Sequence, residues 1–194
     1  MTTDPKSSRR QLSHERILDA AARAVRKHGY TGVGVADVMK EAGLTHGGFY
    51  AHFKSRDALL AAAVEHAGNE SAKCLARRMA ALAERGASPV RALVEAYLGD
   101  THVQATELGC PVAALGTEMP RQADDVREVS RERITALIGM ARDALPPGSP
   151  EHHPFALASS LVGAVQLARA LGEEGKAMLR ATSQTLIEQY DRKV

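Results

Sequence analysis

The 194-residue chain predicts an all-α protein in which an N-terminal three-helix helix-turn-helix unit precedes a larger helical domain, about nine helices in all. Three observations carry this expectation. Apolar residues recur at spacings of three and four along most of the chain. Alanine and leucine dominate a hydrophobic content of 44%, aromatics make up only 4%, and no run alternates as a half-buried strand does. Glycine and proline punctuate the periodic runs where helices stop and start.

Residues 1 to 11 contain Lys6, Ser7, Ser8, Arg9 and Arg10 without apolar periodicity and read as a flexible basic arm. Ser13 is the expected cap of a first helix whose inward stripe is Ile17, Leu18, Ala21, Val25 and His28, with Arg26 and Lys27 near its negative end and Gly29 as its stop. Val35, Val38, Met39 and Ala42 share one side of a second short helix, leaving Asp37, Lys40 and Glu41 toward water. Gly43 allows the left-handed turn that ends it, and Thr45 is placed to cap the next helix.

In that third helix Phe49 and Phe53 lie four apart and anchor inward, which leaves Thr45, His46, Gly47, Tyr50 and Ala51 toward the outside. Two glycines within a short helix, Gly47 and Gly48, cost about 1 kcal/mol each relative to alanine. Their presence fits close approach of the helix N-terminus to a phosphate surface, with Tyr50 adding a hydroxyl. The arrangement is that of a helix-turn-helix reader of duplex DNA.

The stretch from Ser13 to Leu60, with ERILDAAARAVRKHGY, VADVMKEAGLTHGGFYAHF and SRDALL, resembles the DNA-binding domain of TetR-family transcriptional regulators. It departs from the commonest pattern in placing Val35 where many members have threonine. The resemblance implies a DNA-binding unit over residues 12–54 and an effector-binding and dimerisation domain over 55–194. By that analogy the chain is a regulator, read as a repressor, that binds a pseudo-palindromic operator as a homodimer. Its two readers would enter major grooves about 34 Å apart. Lys6, Arg9, Arg10, Lys54 and Arg56 are the expected phosphate contacts, Gly47 and Gly48 the close approach, Tyr50 and His52 the positioning groups, and Thr45 and His46 the candidates for base edges.

Beyond the reader, Ser55 and Asp57 open a long connecting helix through Leu59, Leu60, Ala63, Val64, Ala67, Cys74, Leu75, Met79 and Leu82 toward Gly86. Ser88 and Pro89 open another, with Val90, Leu93, Val94, Tyr97 and Leu98 apolar. Pro111 opens a short helix expected to run through Val112, Leu115 and Met119 until Pro120 ends it. A charged segment, Arg121 to Arg142, keeps an apolar stripe at Val126, Val129, Ile134, Leu137, Ile138 and Ala141. After the PPGSP loop come two helices, about 154–171 and 174–192, whose small residues Ser160, Gly163 and Ala164 suit close packing. In the family the chain resembles, the last two helices of each subunit form a four-helix dimer interface.

The net charge of +2 is uneven: residues 1–57 hold 10 Lys/Arg against 6 Asp/Glu, leaving 15 against 17 for the remainder. Only the N-terminal part favours a polyanion. The most apolar stretch, residues 155–171, is interrupted by Ser159, Ser160, Gln166 and Arg169, so no membrane span is expected. The first residues lack an apolar signal core, which points to the cytoplasm, where Cys74 and Cys110 would be reduced thiols. No phosphate loop, HExxH or Gly-x-Ser-x-Gly motif is present and no histidine pairs with cysteine or acid at ligand spacing, so neither a metal, a cofactor nor an enzymatic activity is expected.

The second domain suits a small-molecule pocket between helices. Cys110, at the edge of the helix opened by Pro111 where the dipole favours a thiolate, is its candidate sensor, against the alternative of an inert packed cysteine. The segment GCPVAALGTEM is similar to that of family members that respond to electrophiles or oxidants through a cysteine, and Arg169 occupies a position similar to a basic residue near that thiol. Tyr97 and Met119 complete the expected effector site. The alternatives are an activator of the same fold and a thiol-dependent redox or detoxifying enzyme using Cys110.

Overall fold

The computed structural model describes the backbone of residues 5–191 and the side chains of residues 9–191. Among the described residues there are nine α-helices and no strand. The first, α1 (Pro5–His28), begins well before Ser13. Residues 5–11, expected as a flexible arm, are therefore helical, with proline tolerated in the first turn where its missing N–H is no loss. Ser13 lies inside the helix and donates its hydroxyl to the Arg9 carbonyl (3.0 Å) instead of capping. His28 is exposed, contrary to the expected stripe. Gly29, at φ +72°, turns the chain so that Tyr30 takes the inward place at 1% exposure.

The second helix, α2 (Val35–Glu41), ends at Ala42 and Gly43. After the reader segment, α3 (Arg56–Ala83) starts at Ser55, whose hydroxyl accepts from the Ala58 amide (3.1 Å), and runs the expected length. Ser88 caps α4 (Pro89–Leu98) in the same way through Arg91 N. A short α5 (Asp100–Gln104) and a 3₁₀ turn at Thr106–Leu108, neither legible as periodic runs, lead to α6 (Pro111–Leu115). That helix is shorter than expected, because Met119 and Pro120 belong to a separate 3₁₀ turn, Met119–Arg121. The bundle is completed by α7 (Asp124–Ala144), α8 (His153–Leu171) and α9 (Gly175–Tyr190). Ile134, placed in the apolar stripe of α7, is 38% exposed.

The connector α3 packs against α1 on one side and against α4 and α7 on the other, so the helix leaving the reader is part of the core of the bundle. Behind it α8 packs on α7 and α9, and α9 on α4. A methyl group at Gly175 would collide with the Ala168 carbonyl, which is what lets α8 and α9 meet closely. By length and composition alone His153–Tyr190 passes as a membrane span, contrary to the expectation that no stretch qualifies. In this fold the stretch is broken at Gly172, and Leu157, Leu161, Val165 and Ala168 are buried among the other helices.

Candidate nucleic-acid interface and effector site

Between α2 and α3 the chain turns at Gly43 (φ +69°), where the Gly43 amide donates to Lys40 O (3.0 Å) and the Leu44 amide to Met39 O (2.8 Å). The Arg16 guanidinium of α1 donates to the Ala42 carbonyl at this turn. The reader that follows, His46–Ala51, is a 3₁₀ helix rather than the α-helix expected. Its tighter start lets the Thr45 carbonyl accept from Gly48 N (3.0 Å), so the Thr45 side chain forms no cap bond and stays exposed. Phe49 and Phe53 are buried and stacked 5.9 Å apart, contributing about 2 kcal/mol each by leaving water. His14 stacks on Phe53 at 4.9 Å, an anchor from α1 that periodicity did not reveal.

Anchoring by the phenylalanines leaves Thr45, His46, Gly47 and Tyr50 on the solvent side, with Tyr50 74% exposed. A methyl group at Gly47 would meet nothing within 4 Å, so this fold does not itself require glycine there. At Gly48 the nearest neighbour, Met39 Cε, would lie at an ordinary 3.6 Å. Burial holds the His52 imidazole below its ordinary pKa, helped by the positive fields of His14 and Arg10.

The expected phosphate contacts divide. The side chains of Arg9 and Lys54 are exposed and have no partner among the described residues. Arg10 is exposed and donates to Ala51 O (2.8 Å), at the end of the reader. Arg56 is half-buried and donates to the Tyr30 and Val33 carbonyls, so its charge is spent on the loop between α1 and α2. The Lys6 side chain lies outside the described residues.

A second site lies between α3, α4, α6 and α7, where a cavity of about 60 Å³ is lined by Ser71, Leu75, Tyr97, Cys110, Val112 and Leu137 among others. It would hold about two waters and is smaller than a drug-sized pocket. Cys110 is buried at the N-terminal edge of α6. The buried Tyr97 hydroxyl has no hydrogen-bond partner, and burial, reinforced by Cys110 beside it, raises its pKa well above the ordinary value. It remains a proton donor.

His102, which sequence reasoning missed, organises this region. Its Nε2 accepts from the Cys110 amide (2.9 Å), so Nδ1 carries the proton and donates to Tyr97 O (2.6 Å). Burial lowers its pKa to about 4 and keeps it neutral. Arg169 donates to the carbonyls of Val103 (3.0 Å) and His102 (3.2 Å), behind the loop and outside the cavity lining. Burial lowers its pKa, opposed by the nearby Tyr97 and Cys110. Met119 is buried but does not line this cavity either.

Two contacts join this site to the reader's scaffold. The buried Arg26 of α1 donates to the Gly109 carbonyl (3.3 Å), one residue before Cys110, and also to Ala22 O, Ala67 O and Glu70. Glu118, just after α6, accepts from the Tyr30 amide at the end of α1 (3.1 Å).

Comparisons with known proteins agree with this geometry. Residues 17–63 match the model of the bacterial regulatory proteins of the tetR family. An uncharacterized HTH-type transcriptional regulator of Mycobacterium tuberculosis is 28% identical over 176 residues, 82% of this chain and 85% of that protein. The HTH-type transcriptional repressor NemR of Escherichia coli is 25% identical over 144 residues, 72% of this chain and 70% of NemR. The crystal structure of its reduced form superposes with a TM-score of 0.71 at 20% identity, covering 90% of this chain and 94% of that one. A TetR transcriptional regulator from Chloroflexus aurantiacus superposes with a TM-score of 0.76 at 24% identity, covering 93% and 96%. The exposed reader on its buried two-phenylalanine anchor falls within the matched residues and is joined by one long helix to an all-α bundle: residues 17–63 carry the DNA-binding domain of the tetR family of bacterial regulatory proteins, and most of the chain is similar to HTH-type transcriptional regulators.

Proposed function

We propose that the chain is a repressor that binds a pseudo-palindromic operator as a homodimer and is released by a small or electrophilic effector acting at Cys110. The observation that carries the DNA reading is the division of one short helix between a buried Phe49 and a bare outer side of Thr45, His46, Gly47 and Tyr50. Arg9, Arg10 and Lys54 supply phosphate attraction around it. On this reading residues 12–54 are the DNA-binding unit and 55–194 the effector and dimer domain. The dimer forms through α8 and α9: Phe155, Leu167 and Leu171 of α8 are about half exposed, and open space stands over Gly163.

The effector reading rests on the unpartnered Tyr97 hydroxyl beside the Cys110 sulfur in one cavity. With an unsaturated carbonyl compound, sulfur bonds the β-carbon and the thiol proton ends on the α-carbon; Tyr97 donates a hydrogen bond to the carbonyl oxygen. An adduct is large beside a cavity of about 60 Å³, so on this reading it pushes the lining apart. The loop it moves carries Gly109, and through Arg26 the strain reaches α1 and the reader. Release requires the effector to favour the displaced pose over the operator-bound one.

The test is operator binding by fluorescence anisotropy during titration with a maleimide. Loss of binding at one equivalent per chain, absent in Cys110→Ser, is the expected result. Unaltered DNA affinity of a fully modified protein would refute the sensor. Catalytic consumption of the reagent would favour the thiol enzyme instead, and a target transcript that falls when the gene is deleted would make the protein an activator.

A further inference from the structure

Away from the reader and the effector cavity, Asp19 of α1 and His66 and Glu70 of α3 bring three ligand-type atoms within 4.8 Å of one another. His66 and Glu70 are one helical turn apart and share a side of α3. Asp19 Oδ1 lies 2.7 Å and Glu70 Oε1 3.8 Å from His66 Nε2. The geometry points to a binding site for a divalent transition metal of the zinc class, held by Asp19 Oδ1, His66 Nε2 and Glu70 Oε1 with water in the remaining position.

One imidazole nitrogen and two carboxylate oxygens are a donor set that zinc-type ions accept, and three protein ligands plus water are the arrangement of open sites. In a tetrahedron with bonds of about 2.0–2.1 Å the ligand atoms lie about 3.4 Å apart. The His66–Asp19 pair must therefore open and Glu70 close by fractions of an ångström to an ångström or so. Side-chain exposures of 27%, 45% and 43% for His66, Asp19 and Glu70 leave room for that rotation and for entry of the ion.

A second feature prepares the site. The outer oxygen of Glu70, Oε2, is held at 3.1 Å by Arg26, whose side chain is fully buried and anchored by its Nε on the Ala22 carbonyl. That contact turns Oε1 toward His66, the kind of outer support that orients metal ligands. The two carboxylates balance the charge of the ion, and Arg26 stays paired with the oxygen the ion does not use. The ion would tie α1, which carries the reader's scaffold, to the connector α3. The one-turn spacing of His66 and Glu70 was passed over in the sequence, and the third ligand, Asp19, lies 47 residues from His66 and is brought to it by α1–α3 packing.

Titration of the chelator-treated full-length protein with Co²⁺, read by visible absorption and followed by displacement with Zn²⁺, tests the assignment. One Co²⁺ per chain is expected, together with a higher melting temperature when Zn²⁺ is bound. His66→Gln and Asp19→Asn should each weaken binding by about tenfold or more, with unchanged circular dichroism and metal-free melting. The variant H152A/H153A, which removes the adjacent histidines at the start of α8, should bind as the parent does. No saturable binding up to about 1 mM, retention of full affinity in both His66→Gln and Asp19→Asn, or loss of binding in H152A/H153A alone would overturn the site. These readouts contain no DNA, so their outcome is separate from that of the repressor reading.

Discussion

A methyl group added at Gly47 meets no atom of this protein within 4 Å, so Gly47→Ala separates what folding asks of the position from what DNA asks of it. The variant should melt at the same or a higher temperature, since alanine is about 1 kcal/mol better in a helix. Its operator affinity should nonetheless fall by about tenfold, or 1.4 kcal/mol; anisotropy and thermal melting on the same sample check both. Unchanged affinity would remove the close-approach argument. At His102 the sign of the pH effect follows from a folded pKa of about 4, below the 6.5 of a free imidazole. The neutral ring is favoured in the folded state, so its contribution is complete above pH 6.5 and is lost as pH falls toward 4. The loss is about 1.4 kcal/mol per pH unit in that interval, roughly 3 kcal/mol in all. Urea unfolding at pH 7 and pH 5 should show it, and His102→Asn should flatten the difference.

At the scale of elements, Arg56 and Lys54 stand two residues apart and should behave differently. Arg56 donates to the Tyr30 and Val33 carbonyls, so Arg56→Ala should cost stability, about 1–3 kcal/mol, and leave the salt dependence of DNA binding unchanged. Lys54, exposed and unpartnered, should when replaced by alanine lower the salt slope by about one and leave stability alone. Binding measured from low to moderate salt, with parallel melts, distinguishes them. The helices bounded by strong local signals were legible: Ser55 and Ser88 cap α3 and α4 as their sequence contexts predict, and Gly43 turns where it should. Elsewhere tertiary contacts decide. Ser13 fails as a cap because α1 continues through it, and the reader tightens to 3₁₀ geometry because the Thr45 carbonyl takes the Gly48 amide. The outward set Thr45, His46, Gly47 and Tyr50 followed from the spacing of Phe49 and Phe53 alone. His102 was invisible because it lies on a five-residue helix with no period to read, and its partners are the backbones of Tyr97 and Cys110.

For the whole molecule, about half of the surface of Phe155, Leu167 and Leu171 faces water on α8, and covering it is the task assigned to a second copy. Leu167→Asp, a change at a residue 59% exposed in the single chain, should leave its helical content intact. It should shift sedimentation from dimer to monomer and abolish tight operator binding, because two half-sites then no longer act together. A dimer that survives this change would move the interface elsewhere. Arg26 has a further consequence at this scale. Its guanidinium is sealed from solvent and satisfied by carbonyls of two different helices, by the Gly109 carbonyl and by Glu70. A cation so enclosed has no water to accept its protons if one of these partners drifts a little way off. Displacing the Gly109 loop without a new partner for Arg26 is therefore penalised, and under the proposed release mechanism the loop is expected to move between two settings and not along a slope.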